Sequence, residues 1–492
     1  MNFNAPTPRN ASGLGRFMDR RGFLRNSAYA GGAMLLATSK SAIAQETSKE
    51  RVMKCALVGC GDQGDRLVAA SRDCPGVQWV AVGDIWQYNR RIMAGRMAYQ
   101  NKHQIEGKVN EYDTIEELLD KEKDLDCVFI ATPDFLHAPF TRLALEKGKA
   151  VYSEKLMSNT LEGAMDMVKA QKETGGILQI GHQRHSNPRY INLREQVYKG
   201  AQLLGRVTHA YGQWNRGISA SMPRPFPKGQ SIAKELLDKY GYANEYEFRN
   251  WRYFRKYGGG IIADLGAHQI DLFNWMFEAN PTSIIATGGV DYYDGKDGRP
   301  LFELPDNVMC LYEYKLPSGV ARAYYQVLTT TGSQGYYEKF MGVDGTAIIS
   351  ESPTYNQLYR EPNAPEWDKY AEGANPIITR AAASVKNKYW EHTRSWEKPK
   401  PPSYDLGKLA AAVADVRESK ALDPFELPTV LSRVPHAPHV QNFIEAARMK
   451  KHEHLNCPVQ QGYNSAVTVL TSYKSIESGA KVDFKSEDFV KA

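Results

Sequence analysis

Residues 54–84 read Lys54-Cys-Ala-Leu-Val58, then Gly59-Cys60-Gly61-Asp62-Gln63-Gly64, a helical run to Arg72, and Gln78-Trp-Val-Ala-Val-Gly83 closed by Asp84. A short apolar run suits a buried strand, and it feeds a glycine turn. A helix then returns the chain, and a second strand ends in a carboxylate. Gly59 permits the tight turn, Gly61 lets the backbone approach a pyrophosphate, and Gly64 lets helix and strand pack closely. The helix N-terminus, with Asp62 and Gln63 in its first turn, offers free N–H groups and the positive end of its dipole to that pyrophosphate. Asp84, 20 residues past Gly64, is spaced to accept from the ribose hydroxyls and to repel a 2′-phosphate, which favours NAD over NADP. The glycines alone are equally a Gly-rich turn in any α/β protein. Both strands, the helix and Asp84 together specify a dinucleotide site.

The alternation continues outward from this unit. Helices are expected over 89–101 and 137–147, with Thr114-Ile-Glu-Glu117 as a capping box for another. Strands are expected at Asp126–Ala131, Ala150–Ser153 and Ile177–Ile180, with a helix over Thr160–Thr174 between the last two. This spacing predicts a doubly wound parallel sheet over residues 50–180, with ligands at the carboxyl ends of its strands. The polar clusters at those ends are Ala131-Thr132-Pro133-Asp134 with His137, Glu154-Lys155, and His182-Gln183-Arg184. After residue 205 long β-rich runs appear at 207–214, 283–290, 307–329 and 336–350. They predict a second α+β domain over 181–492 with a large, mostly antiparallel sheet. Residues 353–433, rich in Pro, Lys and Tyr, are expected to be an irregular excursion that covers the cleft or meets another subunit. Closing helices are expected over 439–449 and 461–478.

Residues 1–44 read as a leader rather than as fold. Asp19-Arg20-Arg21-Gly22-Phe23-Leu24-Arg25 precedes a weakly apolar run, and Ala42-Ile43-Ala44 offers a cleavage site before Gln45. This resembles a twin-arginine (Tat) signal and implies a periplasmic enzyme. The apolar run is far below the roughly 20 residues of a membrane span. The six basic residues and one acid of 1–44 carry five of the chain's six net positive charges. The remainder is nearly neutral, so nothing argues for nucleic acid or a membrane surface. The six cysteines have no disulfide-framework spacing. His452-Glu-His454-Leu-Asn-Cys457 lacks a fourth ligand, so no metal is expected. Outside the inner membrane no NAD pool is maintained, and an exported enzyme therefore needs a tightly held cofactor that is reduced and reoxidised in one site.

Gly258-Gly-Gly260-Ile-Ile-Ala-Asp264-Leu-Gly-Ala-His268-Gln-Ile-Asp271 is the second informative stretch. At i, i+4, Asp264 and His268 share a helix face, and Asp271 is spaced to orient His268. With the glycine motif, Ala131-Thr-Pro-Asp134, Glu154-Lys155, Gly181-His-Gln-Arg184 and Asn456-Cys-Pro-Val-Gln-Gln-Gly462, the chain resembles the Gfo/Idh/MocA oxidoreductases from about residue 52 onward. The family's usual Glu-Lys-Pro is Glu154-Lys155-Leu156 here. The resemblance implies sugar or inositol dehydrogenase chemistry with NAD bound by Gly59, Gly61, Asp62, Gln63, Gly64, Asp84, Ala131, Thr132, Pro133, His137, Glu154, Lys155 and Gln183. It implies that Lys155 stabilises a developing alkoxide, that His268 takes the hydroxyl proton, and that Asp264 binds a neighbouring hydroxyl or aligns the imidazole. Arg184, Trp214, Trp251, Arg252 and Tyr253 are candidates for the sugar subsite by stacking and hydroxyl bonds, and equally for packing. The expected reaction is oxidation of a secondary hydroxyl, C3 of a pyranoside by family analogy. A redox glycosidase similar to the NAD-dependent α-N-acetylgalactosaminidases is the alternative. A homo-oligomer, dimer or tetramer, is implied by the same resemblance.

Overall fold

The computed structural model describes residues 51–381 and 424–490. The leader read over 1–44 lies outside the described residues, as do residues 382–423 of the expected excursion.

Strands β1 (Met53–Val58), β2 (Val77–Gly83), β3 (Asn110–Tyr112), β4 (Cys127–Ile130), β5 (Ala150–Ser153) and β6 (Leu178–Ile180) form a sheet in the order 3-2-1-4-5-6. Every pairing in it is parallel. β4 is buried at all four positions, which is why it reads as an unbroken apolar run rather than an alternating one. The order reverses between β1 and β4, and that switch point opens a crevice at the strand ends. Thr114 and Thr160 cap their helices by accepting from the amides of Glu117 and Gly163 at 3.2 and 3.1 Å. The helix expected from residue 137 begins three residues earlier and runs Asp134–Glu146. Pro133 flanks it and Asp134 stands in the first turn, where a carboxylate suits the helix dipole.

The second sheet holds β7 (Val207–Asn215), β8 (Ser283–Gly289), β9 (Asn307–Leu316), β10 (Gly319–Leu328), β11 (Tyr336–Gly342), β12 (Gly345–Ile349), β13 (Asn356–Arg360), β14 (Thr379–Arg380), β15 (Pro424–Glu426) and β16 (Val482–Asp483). Their order is 14-15-13-12-11-7-10-9-8-16, antiparallel except for the β7–β10 pair. Part of the stretch read as irregular is therefore sheet edge. β13 pairs with β15 through Leu358 and Phe425, partners too distant in sequence for a local pattern to reveal.

One face of this sheet is covered by helices Ala267–Phe277 and Val459–Ser478, joined by a buried polar chain. Tyr314 donates to Asn274 at 2.8 Å, and Asn274 donates to the Thr468 hydroxyl at 2.9 Å. Helix Ala437–Met449 returns to the first sheet, where Phe443 meets the rings of Phe129 at 5.2 Å and Tyr152 at 5.7 Å. The elements named here belong to one compact unit, residues 50–372 with 376–492.

Candidate active site

A cleft of about 700 Å³ lies at the carboxyl ends of β1, β2, β4 and β5. Gly59 leaves β1 at φ +95°, and a Cβ there would stand 2.5 Å from the Ala131 carbonyl. A Cβ on Gly64 would stand 2.2 Å from the Gly59 oxygen, so the helix is drawn against the strand end. Gly61 differs: it lines the cleft and a Cβ would meet nothing within 4 Å. The Asp84 carboxylate accepts from the amides of Cys60 at 2.8 Å and Trp86 at 2.9 Å, which fixes it at the cleft edge. Burial raises its pKa and those amide bonds oppose the rise. Asp62 pairs with Arg224 at 2.6 Å on the exposed rim. Gln63 donates to Glu154 at 2.8 Å and lies 3.0 Å from His436.

Ala131, Thr132 and Pro133 form the opposite lip, and the buried Thr132 hydroxyl has no partner among the described residues. His137 braces this lip: its ring nitrogens lie 2.8 Å from the Thr132 carbonyl and 2.7 Å from that of Leu156. A bare backbone at a helix N-terminus, an orphaned hydroxyl and a fixed carboxylate fit a dinucleotide.

Glu154 is buried below the next strand end, and burial pushes its pKa up to about 7. Gly181 makes room for it, since a Cβ there would stand 2.8 Å from its carboxylate. The Lys155–Leu156 peptide is cis. The Lys155 ammonium donates to the Asp264 carbonyl and stands 4.0 Å from its carboxylate. Arg252 and Arg216 approach the same carboxylate at 3.4 and 3.7 Å. Burial works to raise the Asp264 pKa, but Arg252, Lys155 and Arg216 override it and hold the group well below the usual carboxylate range.

His268 is buried, its Nδ1 has no partner among the described residues, and its ring stacks with Trp214 at 5.6 Å. Burial, then the charges of Lys155 and Arg184, push its pKa well below the ordinary imidazole value. It is a neutral imidazole beside an ammonium. Asp264 lies in a π-helical turn, Ile262–Gly266, and His268 in the α-helix after it. Both line the cleft, as do Lys155, Gln183, Trp214, Trp251, Arg252 and Tyr253.

Two expectations are corrected. Arg184 does not line the cleft: its buried guanidinium pairs with Glu338 and lies 3.3 Å from Glu351, 5.9 Å from the Trp214 ring. It supports the aromatic wall from behind. Asp271 does not orient His268; it accepts from Ser465 at 2.6 Å and stands 2.7 Å from His185 Nε2. Helix Ala267–Phe277 turns Asp271 into the core while His268 faces the cleft. The cleft also holds Arg216, Tyr336, Glu351 and His436, which sequence reasoning missed. Arg216, two residues past Trp214 and just beyond β7, was within reach of the sequence pattern; nothing local marks the other three.

Residues 53–182 match the model of the oxidoreductase family with an NAD-binding Rossmann fold, and 236–347 match the GFO/IDH/MocA C-terminal domain. Two separate stretches of the chain thus match models of one family, Gfo/Idh/MocA, one for each of its domains. The match over 53–182 is to the NAD-binding Rossmann fold of that oxidoreductase family. The chain is 24% identical over 363 residues to a scyllo-inositol 2-dehydrogenase (NAD(+)) of Bacillus subtilis (strain 168), covering 68% of this chain and 91% of that one. It is 26% identical over 242 residues to a 1,5-anhydro-D-fructose reductase of Ensifer adhaerens, covering 48% and 60%. Some curated relatives are matched over as little as 36% of their own length. Among solved structures, a levoglucosan dehydrogenase in complex with NADH aligns at TM-score 0.60 and 16% identity, covering 88% of this chain and 99% of that one. That likeness is one of fold.

Proposed function

We propose that this chain is an exported enzyme that carries its NAD with it and oxidises a secondary hydroxyl of a sugar or glycoside, with C3 of a pyranoside favoured. The observation that carries the reading is the meeting of Lys155, Asp264 and a neutral His268 at one end of the dinucleotide cleft. NAD, when bound, supplies the hydride acceptor. Lys155 donates to the reacting oxygen and stabilises its developing negative charge. His268 accepts the hydroxyl proton as the carbinol C–H departs as hydride, so the alcohol loses two electrons and two hydrogens and becomes a ketone. Asp264, held as a carboxylate by three cations, accepts from a neighbouring hydroxyl. Trp214, Trp251 and Tyr253 offer aromatic faces to the ring.

Relatives whose names specify an inositol, an anhydrofructose and levoglucosan support a polyhydroxylated ring as the substrate class. The twin arginines at Arg20-Arg21 and the Ala42-Ile43-Ala44 site support export to the periplasm. Reoxidation by a second sugar or keto-sugar in the same site then resets the cofactor. Exposed Ile285, Leu311 and Val320 on adjoining strands of the second sheet support a homo-oligomer. The test is a panel of glycosides with products read by mass. Loss of two hydrogens supports the dehydrogenase, and release of the aglycone without an added acceptor would replace it with the redox glycosidase. A mature N-terminus at Gln45 on periplasmic protein is expected, and protein retained in the cytoplasm with its leader intact would overturn the export reading.

A further inference from the structure

Between the end of β7 and Gly258, residues 216–257 leave the second sheet, cross to the first and return. They carry the short helices Ile218–Ser221, Lys234–Lys239 and Glu245–Arg249. This segment builds a core of its own. Trp86, fully buried and two residues past Asp84, clusters with Ile232, Leu237, Tyr242 and Tyr257. Its ring stacks on Phe226 at 4.7 Å, meets Phe248 edge-on at 6.0 Å and lies 5.1 Å from the Arg249 guanidinium. Its indole N–H donates to the Gln230 carbonyl at 2.6 Å. Phe135, just past β4, meets Tyr242 edge-on at 5.5 Å. Ion pairs pin the segment at two points, Arg224 to Asp62 at 2.6 Å and Lys239 to Glu116 at 3.2 Å. A segment this rich in aromatics buries them only against a partner surface, and that surface is the rim of the dinucleotide cleft.

The segment also supplies cleft wall. Tyr240, Tyr242, Phe248 and Arg249 line the same space as Gly61, Asp62 and Asp84. Two of its polar groups are buried with no partner among the described residues, the Tyr242 hydroxyl and Arg249 Nε. Buried donors are rarely left unsatisfied, so these two call for a ligand. Arg249 lines the cleft together with Gly61 and Asp62 of the helix N-terminus, where a pyrophosphate belongs. Burial pushes the Tyr242 phenol up and the charge of Asp84, at the ribose position, adds to it.

We infer that residues 216–257 are a strap closed over the adenosine half of NAD, with Arg249 on the pyrophosphate and Tyr242 on the adenosine ribose. The strap makes the nucleotide a resident group that does not exchange between turnovers. This rests on the dinucleotide reading of the cleft, and it supplies the retention that an exported enzyme requires.

The test reads nucleotide, not sugar. The purified full chain is desalted, mixed with excess isotopically labelled NAD, and sampled over time for bound label. The wild type should emerge loaded and exchange over hours. Arg249→Met, which keeps an unbranched side chain but removes the guanidinium, should exchange about 10–100-fold faster for the loss of a charge-assisted phosphate contact. Tyr242→Phe should exchange about 3–10-fold faster. Near-UV circular dichroism checks that each variant is folded. Should Arg249→Met fail to fold, the double change Arg224→Ala with Lys239→Ala cuts only the exposed ties and should still hasten exchange several-fold. A wild type that equilibrates with label within seconds, or folded variants that exchange at the wild-type rate, would overturn the strap. Retained nucleotide with no product from any sugar leaves the strap standing and removes the dehydrogenase reading. Rapid exchange with sugar oxidised in added NAD does the reverse.

Discussion

The three glycines of the nucleotide turn separate two roles that a motif treats as one, and alanine substitutions should pull them apart. Gly59→Ala places a methyl 2.5 Å from the Ala131 carbonyl carbon in a backbone with φ +95°. Neither the neighbouring strand end nor the left-handed backbone can yield, so a loss of roughly 3–5 kcal/mol is expected from clash and strain together. Gly64→Ala brings its methyl to 2.2 Å from a backbone oxygen and should cost a similar amount. Gly61→Ala stands at φ −81°, which any residue adopts, and meets no atom within 4 Å. The entropy gained by restricting the unfolded chain and the slight loss of replacing glycine at a helix N-cap nearly cancel, leaving stability within about 0.5 kcal/mol of wild type. Its methyl nevertheless occupies the space a pyrophosphate needs, so NAD affinity should fall by at least about 10–100-fold, the equivalent of roughly 1–3 kcal/mol of overpacking. Denaturant unfolding of the nucleotide-free proteins and calorimetric titration with NAD measure the two effects separately. A Gly61→Ala protein that binds NAD as wild type does would refute the placement of the pyrophosphate. One that unfolds as easily as Gly59→Ala would refute the open space around it.

The geometry of the cleft and its supports fixes the outcome of other perturbations. Lys155→Ala and His268→Gln should each lower turnover by about 10²–10⁴-fold while the folded protein still binds NAD, checked by single-turnover kinetics beside a binding titration. Because His268 is pushed well below the ordinary imidazole value, its base form persists into acid, and the acid limb of the turnover–pH profile should lie below the range of a free histidine. Glu154 has a folded pKa raised from 4.5 to about 7, so its contribution is intact below the unfolded value and declines as pH rises through that window. Glu154→Gln should therefore gain on wild type by up to about 3 kcal/mol between about pH 5 and pH 8, measured by urea unfolding. Arg184→Met strands the fully buried Glu338 and should cost about 3–5 kcal/mol while leaving the sugar KM nearly unchanged, the opposite of what a substrate ligand would show.

The first sheet was readable because its determinants are local. Val58 to Gly64 and Gln78 to Asp84 carry strand, turn and carboxylate within a few dozen residues, and Thr114 and Thr160 announce their helices with their own side chains. Helix periodicity set Asp264 beside His268, whereas the closeness of Lys155 to that pair was expected from a family pattern, since more than a hundred residues separate it from them. Arg184 shows the limit most plainly. Its neighbours Gln183 and His182 suggested a strand-end ligand, yet its partner Glu338 lies on β11, and pairing across that distance turns it into the core. His436 reaches Gln63 only because the Ala437–Met449 helix folds back onto the first sheet. The strap over 216–257 has the composition of a loop, and its aromatics acquire a meaning only where Trp86 meets them. Backbone geometry and helix caps act over a few residues and were therefore written in the sequence. Burial and charge pairing depend on what the far chain brings alongside, and only the tertiary structure decided those.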